Sequence, residues 1–229
     1  MKTPLSGISS MATRRLLADL AADYTRQSGR VLAVESVGGV EAAKRVQAGE
    51  AFDVVVLASD AIDTLIASGH LVAGSKVDLV RSPVAIAVRA GKPQPDVGSE
   101  ETVKQAVLAA RSISYSTGPS GVFLMKLFDR WGITQAIASR LVQAPPGVPV
   151  GTLVARGEVE LGFQQLSELI HLDGITVVGN LPPAIACITT FSAARCPGST
   201  QAEAVRQMLH FMSSPDADAT KRRQGMEPA

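Results

Sequence analysis

The sequence predicts an α/β fold made of successive β-α units. Three observations carry that prediction. Short apolar runs alternate with segments whose apolar residues recur at helical spacing, the pattern of β-α-β units and a mostly parallel sheet. Glycines such as Gly29, Gly49 and Gly69 follow the first helical segments, where a left-handed residue ends a helix. The loops leading into helices are rich in Ser, Thr and Gly rather than charge.

Taken in order, a helix is expected over 11–28, with Leu16, Leu17, Leu20, Ala21 and Tyr24 at helical spacing. A strand follows over 31–34, then a helix over 40–48 after Gly38-Gly39. The run 52–57 is a buried strand, and Ser59-Asp60 caps a helix reaching Ser68. A second unit begins with a strand over 84–88, after Arg81-Ser82-Pro83. It continues with a loop and helix over 96–110, a strand over 112–115, a turn cluster over 116–121 and a helix over 122–131. A loop over 144–149 precedes a helix over 151–156. A strand over 159–163 leads to Gln164-Gln165, read as opening a short helix. Strands over 175–178 and 185–191 and a helix over 201–212 complete the chain, the last helices being free to rejoin the first unit.

Composition excludes several functions. With 229 residues, 46% of them hydrophobic and 19% charged, the chain can bury a core and is not disordered. Lys plus Arg number 22 against 21 Asp plus Glu, a net charge of +1 that lacks the basic excess of a nucleic-acid binder. Aromatics at 4% argue against a carbohydrate cleft or a base-stacking platform. Cys187 and Cys196 are too few for a disulfide framework or a structural zinc. Cys187 reads as a core residue and Cys196, beside Pro197, as exposed. No apolar run has the length of a membrane span, and none precedes the first helix as a secretory signal requires. As it stands the sequence implies a cytoplasmic protein, and a periplasmic one if a leader precedes it.

Four loops share one chemistry: Ser9-Ser10, Gly38-Gly39, the cluster with Ser116, Thr117, Ser120 and Gly121, and Gln164-Gln165. Each puts backbone N–H groups and neutral donors at the positive end of a helix, a site for a carboxylate or tetrahedral oxyanion. Taken singly, each also reads as an ordinary helix cap. Nucleotide-binding glycine motifs and the G-x-S-x-G elbow are absent. His70, His171 and His210 lack ligand spacing, so neither a metal nor a cofactor is implied. Arg81 reads as an ordinary exposed arginine, with contact to a bound anion as the alternative.

In order, these loops resemble the type II periplasmic-binding-protein fold, and within it the molybdate-binding proteins of ABC transporters. The resemblance rests on Ser9-Ser10, Gly38-Gly39, the run Gln47-Ala48-Gly49-Glu50-Ala51-Phe52-Asp53-Val54, Ser120-Gly121, the stretch Ala155-Arg156-Gly157-Glu158-Val159-Glu160-Leu161-Gly162 and the end at Gly225-Met226-Glu227-Pro228. It implies two α/β lobes, 1–82 with 197–229 and 83–196, closing by a hinge on a ligand between them. It also implies Ser10 as an oxyanion contact, a monomer, and an ABC permease as partner if the protein is exported. Two positions depart from the family: Gly38-Gly39 replace a serine, and Phe163-Gln164-Gln165 replace a tyrosine. Carboxamides and added room suit a branched carboxylate. The double glutamine with Ser167-Glu168 resembles a branch that includes aconitate isomerases.

Three function classes follow. The first is a binding module for a small anion, carboxylate or tetrahedral. The alternative is an isomerase of a di- or tricarboxylate, with Glu41, Asp60, Tyr115, Glu168 and His171 as candidate bases. Glu41 and Glu168 fall in first helical turns, where the dipole is expected to lower their pKa. A sensor domain of the LysR type is disfavoured because no helix-turn-helix region is present.

Overall fold

The computed structural model describes residues 3–145 and 147–229. Met1 and Lys2 of the amino-terminal reading, and Pro146 of the 144–149 loop, lie outside the described residues. In chain order the elements are β1 (Leu5–Ser10), α1 (Arg14–Ser28), β2 (Leu32–Val37), α2 (Gly39–Gln47), β3 (Val54–Ala58), α3 (Ser59–Ala67) and β4 (Val77–Arg89). Next come α4 (Glu100–Ala109), β5 (Ile113–Tyr115), α5 (Pro119–Arg130), α6 (Thr134–Ile137), β6 (Leu141–Gln143), α7 (Val150–Arg156), β7 (Leu161–Gln165), α8 (Leu166–Leu169) and β8 (Ile175–Asn180). The chain closes with β9 (Ile188–Arg195), α9 (Ala202–Ser213), α10 (Asp218–Arg223) and β10 (Glu227–Pro228). By internal contacts it divides into Met1–Ser82 with Thr190–Ala229, and Pro83–Thr189. The return falls at Thr190 rather than 197, because β9 pairs with β3 through Phe191 to Arg195.

In the first unit β1 lies between β2 and β3, parallel to both, and β9 runs antiparallel along β3. Alternation along β3 builds two cores. Val54, Val56 and Ala58 join Leu16, Leu17 and Leu20 of α1 and Met208 and Met212 of α9. Val55 and Leu57 join Ala42 and Val46 of α2 and Ile62 and Leu65 of α3 on the other face. Asp53, buried, fastens the amino ends of β1 and β3 to the returning segment. It accepts from Ser6 N at 2.9 Å and from Ser199 Oγ at 2.5 Å. The parallel order brings the carboxyl ends of β1, β2 and β3 to one edge, each followed by a helix start.

In the second unit β5 is parallel to β6 and β7, while β7 and β8 run antiparallel to β4. Val84, Ile86 and Val88 of β4 and Leu161 and Phe163 of β7 form the larger core with Leu124, Leu127 and Phe128 of α5. On the opposite face, Gly162 lets α7 lie against β7. A Cβ there would sit 2.6 Å from Val154 Cγ2 and 2.9 Å from Val150 Cγ1.

Several expectations shift. β4 extends through Pro83 instead of starting at Val84; the proline lacks an N–H, and the ladder resumes with Val84 N donating to Cys187 O at 2.9 Å. α5 starts at Pro119, a favoured first-turn position, so Ser120 and Gly121 are helical. Gln164 and Gln165 end the buried strand β7 rather than opening a helix. Helix α3 takes Ala58 as its N-cap, not Ser59-Asp60. Cys196, expected to be exposed, is buried in the α2–α3 core, while Cys187 is half-buried just before β9 and packs against the larger core of the second unit; burial pushes both thiols up to about 11. Strands β1, β6 and β10 and helix α6 are absent from the sequence expectation, and Ser9-Ser10, expected in a loop, end strand β1. No helix among the described residues is long and apolar enough to cross a membrane.

Gly121 fixes the Ser116 turn, because a Cβ would lie 1.8 Å from the Ser116 carbonyl oxygen. Backbone cannot yield as a side chain does, so Gly121→Ala is expected to cost about 3 kcal/mol in urea unfolding. A change below about 0.5 kcal/mol would show that the turn relaxes freely.

Candidate functional site

The first unit gathers Ser9, Ser10, Gly38 and Gly39 at the carboxyl ends of β1 and β2. Their register pairs Ser9 with Ser36 and Ser10 with Val37. Ser9 is engaged internally, donating to the Ser10 carbonyl at 3.3 Å and lying 2.8 Å from Ser36 Oγ. Ser36, the partner sequence reasoning missed, is identifiable only once the β1–β2 register is known. Ser10 is different. It is 7% exposed, and its Oγ is buried without a hydrogen-bond partner. A buried hydroxyl left unpaired costs about 1–3 kcal/mol.

Beside it, α2 starts from Gly38 with φ −57° and ψ 138°, and no side chain caps it. Its first N–H groups have no intrahelical acceptor. Gly39 packs close to Ser10: a Cβ added there would lie 3.6 Å from Ser10 Cβ. A Cβ on Gly38 would meet nothing within 4 Å, so neither sterics nor backbone angle demands glycine there.

In the second unit the cluster after β5 forms a tight turn. Ser116 and Ser120 hydroxyls are 2.9 Å apart, and Gly118 N donates to Ser116 Oγ at 3.3 Å. Thr117 is exposed and Ser120 buried. Helix α5 begins at Gly118 without a side-chain cap. A cavity of about 290 Å³ opens beside the turn, with Tyr115, Ser116, Thr117, Lys126 and Asp129 in its wall.

Helix α4 supplies the contrast. Ser99 and Thr102 form a complete capping box at its start, and Arg140 donates to the Leu108 and Ala110 carbonyls at its end. Helix α9 also lacks a side-chain cap. An open helix start is therefore not distinctive alone; at α2 the orphan Ser10 hydroxyl makes it so.

Gln164 and Gln165 point to opposite faces of β7. The Gln165 amide donates to Thr189 Oγ1 at 2.8 Å, a partner far away in sequence. Gln164 is 2% exposed and engaged at both ends. Its Oε1 accepts from Gly151 N at 3.2 Å, capping α7, and its Nε2 donates to Glu168 Oε1 at 2.7 Å. Burial pushes the half-buried Glu168 carboxyl up to about 7, the Gln164 bond opposing this only in part. The helix-dipole expectation for Glu168 is thus corrected: α8 has four residues, and desolvation outweighs its dipole. Glu41 and Asp60 are exposed. Arg81 donates to the Pro228 carbonyl at 3.0 Å, as an ordinary surface arginine does. No group of three or more His, Cys, Asp or Glu side chains suited to a metal occurs among the described residues.

The fold is that of the type II periplasmic binding proteins, and the chain belongs to the family of bacterial extracellular solute-binding proteins, whose model matches residues 5–227. An aconitate isomerase of Pseudomonas sp. is 36% identical over 99% of this chain and 88% of that protein. Among solved structures, the Azotobacter vinelandii periplasmic molybdate-binding protein superposes with a TM-score of 0.81 at 19% identity, covering 97% of this chain and 98% of that one. The substrate-binding domain of a putative molybdenum ABC transporter from Clostridium difficile gives 0.76 at 16% identity, covering the whole of both chains.

Glu168 makes stability depend on pH. Between its ordinary 4.5 and the folded value of about 7, the unfolded chain ionises while the folded one keeps its proton. Stability therefore falls as pH rises through that window and levels off above it, by about 3 kcal/mol at most. Urea unfolding at pH 5 and pH 8 should show a smaller loss for Glu168→Gln than for the wild type. Equal losses would place the carboxyl in a watery environment.

Proposed function

We propose that the protein binds a small carboxylate anion through neutral donors at helix starts. The observation that carries this is the orphan Ser10 hydroxyl beside the uncapped start of α2. In this reading Ser10, Gly38 and Gly39 hold anionic oxygen in the first unit, with Ser9 bracing Ser10. Ser116, Thr117, Ser120 and Gly121 do the same at α5 in the second. Gln164 and Gln165 act as braces behind the donors. Solute-binding family membership supports a bound solute, and the +1 charge is compatible because the site relies on N–H and hydroxyl dipoles. Glycine at 38 and 39, where the fold tolerates a side chain at least at 38, leaves room for a branched ligand. Acting as a receptor, the protein would pass its ligand to an ABC permease.

A second reading makes the chain an isomerase of a tricarboxylate of the aconitate class. The 36% identity with an aconitate isomerase across almost the whole chain favours it. So does Glu168, a carboxyl able to exchange a proton near neutral pH.

Two substitutions test the anion site by calorimetry with cis-aconitate and citrate. Ser10→Ala should weaken binding by about 1–3 kcal/mol, and unchanged affinity would exclude Ser10. Gly38→Ser should cap α2 with its own hydroxyl, raising stability by a few tenths of a kcal/mol while lowering affinity. Gly38→Ala should not lower affinity comparably. A serine variant that gains stability and keeps full affinity would mean the α2 N–H groups do not face the ligand.

A further inference from the structure

We propose that Glu168 is the catalytic residue that takes and returns the substrate proton in the isomerase reading, on which this assignment rests, and that Gln164 is its positioning residue. Gly151 N–H can only donate, so the Gln164 atom 3.2 Å from it must be the carbonyl oxygen. The Gln164 NH₂ group is thereby turned toward Glu168 Oε1, 2.7 Å away. An NH₂ group also only donates, so Oε1 must accept, and a proton on Glu168 resides on Oε2. Glu168 has no further hydrogen bond among the described residues. One carboxylate oxygen is thus clamped by an amide, itself locked by a helix start, and the other accepts no hydrogen bond among the described residues.

Its place in the unit agrees. β5 and β7 are parallel and pair Tyr115 with Phe163. One residue further, Ser116 and Gln164 leave the same carboxyl edge, where ligands of open α/β sheets sit. The turn at α5 and the Gln164–Glu168 pair therefore follow adjacent parallel strands, with Gln164 on the α7 face of β7. Burial pushes the carboxyl up to about 7, so acid and carboxylate coexist near neutrality, as a group that both accepts and returns a proton requires. Burial raises that proton's affinity and the Gln164 bond lowers it.

The step conserves atoms and electrons. Glu168 Oε2 takes a proton from the methylene carbon between a carboxylate and the double bond of an aconitate. The C–H electron pair spreads over the three-carbon allyl unit and its carboxylates. Glu168 returns the proton to the far carbon of that unit. The double bond has moved by one carbon, no group has left, and nothing is oxidised or reduced.

The test follows cis- and trans-aconitate by NMR in D₂O with the full chain. The wild type is expected to interconvert them and exchange deuterium at carbon. Glu168→Gln, isosteric and relieved of a buried charge, should lose about a thousandfold in kcat while its aconitate affinity by calorimetry stays within about threefold. A variant within about tenfold of wild-type kcat overturns the assignment and leaves the isomerase reading standing. A wild type that neither interconverts nor exchanges either aconitate overturns the isomerase reading and this assignment with it. Gln164→Glu keeps the acceptor for Gly151 but sets an oxygen against Glu168, and should move the acid limb of the pH–rate profile to higher pH. An unmoved limb overturns the role of Gln164.

Discussion

Every helix begins with backbone N–H groups that need an acceptor, and the candidate site lies where an open helix start meets a buried, unpaired hydroxyl. Helix α4 is closed by the Ser99–Thr102 box and α7 by the Gln164 carbonyl. Helices α2 and α5 instead begin at Gly38 and Gly118 with no side-chain cap. At α2 the neighbouring Ser10 hydroxyl is buried and unpaired as well. Parallel pairing of β1 with β2 brings these groups to one edge, so strand order has a direct chemical consequence. An anion there would satisfy several donors at once.

Gln164 performs two tasks in the second unit because an amide has two ends. Its oxygen completes α7, which fixes the direction of its NH₂ group and so the hydrogen-bonding state of Glu168. Gly162 and Gly151 keep α7 close enough for this, since a Cβ on either would lie within 3 Å of neighbouring side chains. A packing requirement in the sheet is thus transmitted to the protonation of one carboxyl.

Much of this was legible in the sequence. The continuous apolar run in 52–57 and the helical spacing in 11–28 located elements that the structure has, because the strand is buried on both faces and the helix on one. Ser10, Gly38, Ser120 and Gly121 were identifiable as residues preceding or opening helices. What escaped was set by distant partners. The Gln164–Gly151 bond joins residues on α7 and β7, and the dipole argument for Glu168 failed because burial by the folded chain dominates a four-residue helix. Pro83 read as a break because a single strand does not reveal which of its N–H groups the ladder requires. Cys196 read as exposed beside a proline, yet the α2 and α3 side chains close over it.

The central claim is that open helix starts and neutral hydroxyls hold a small carboxylate. The most direct measurement is a thermal-shift series of the purified chain with cis-aconitate, trans-aconitate, citrate, molybdate and sulfate at equal concentrations, since a ligand that binds only the folded state raises stability in proportion to RT ln(1 + [L]/Kd). The account predicts that one or both aconitates raise Tm and that molybdate and sulfate leave it in place. A rise with the tetrahedral oxyanions alone would contradict it.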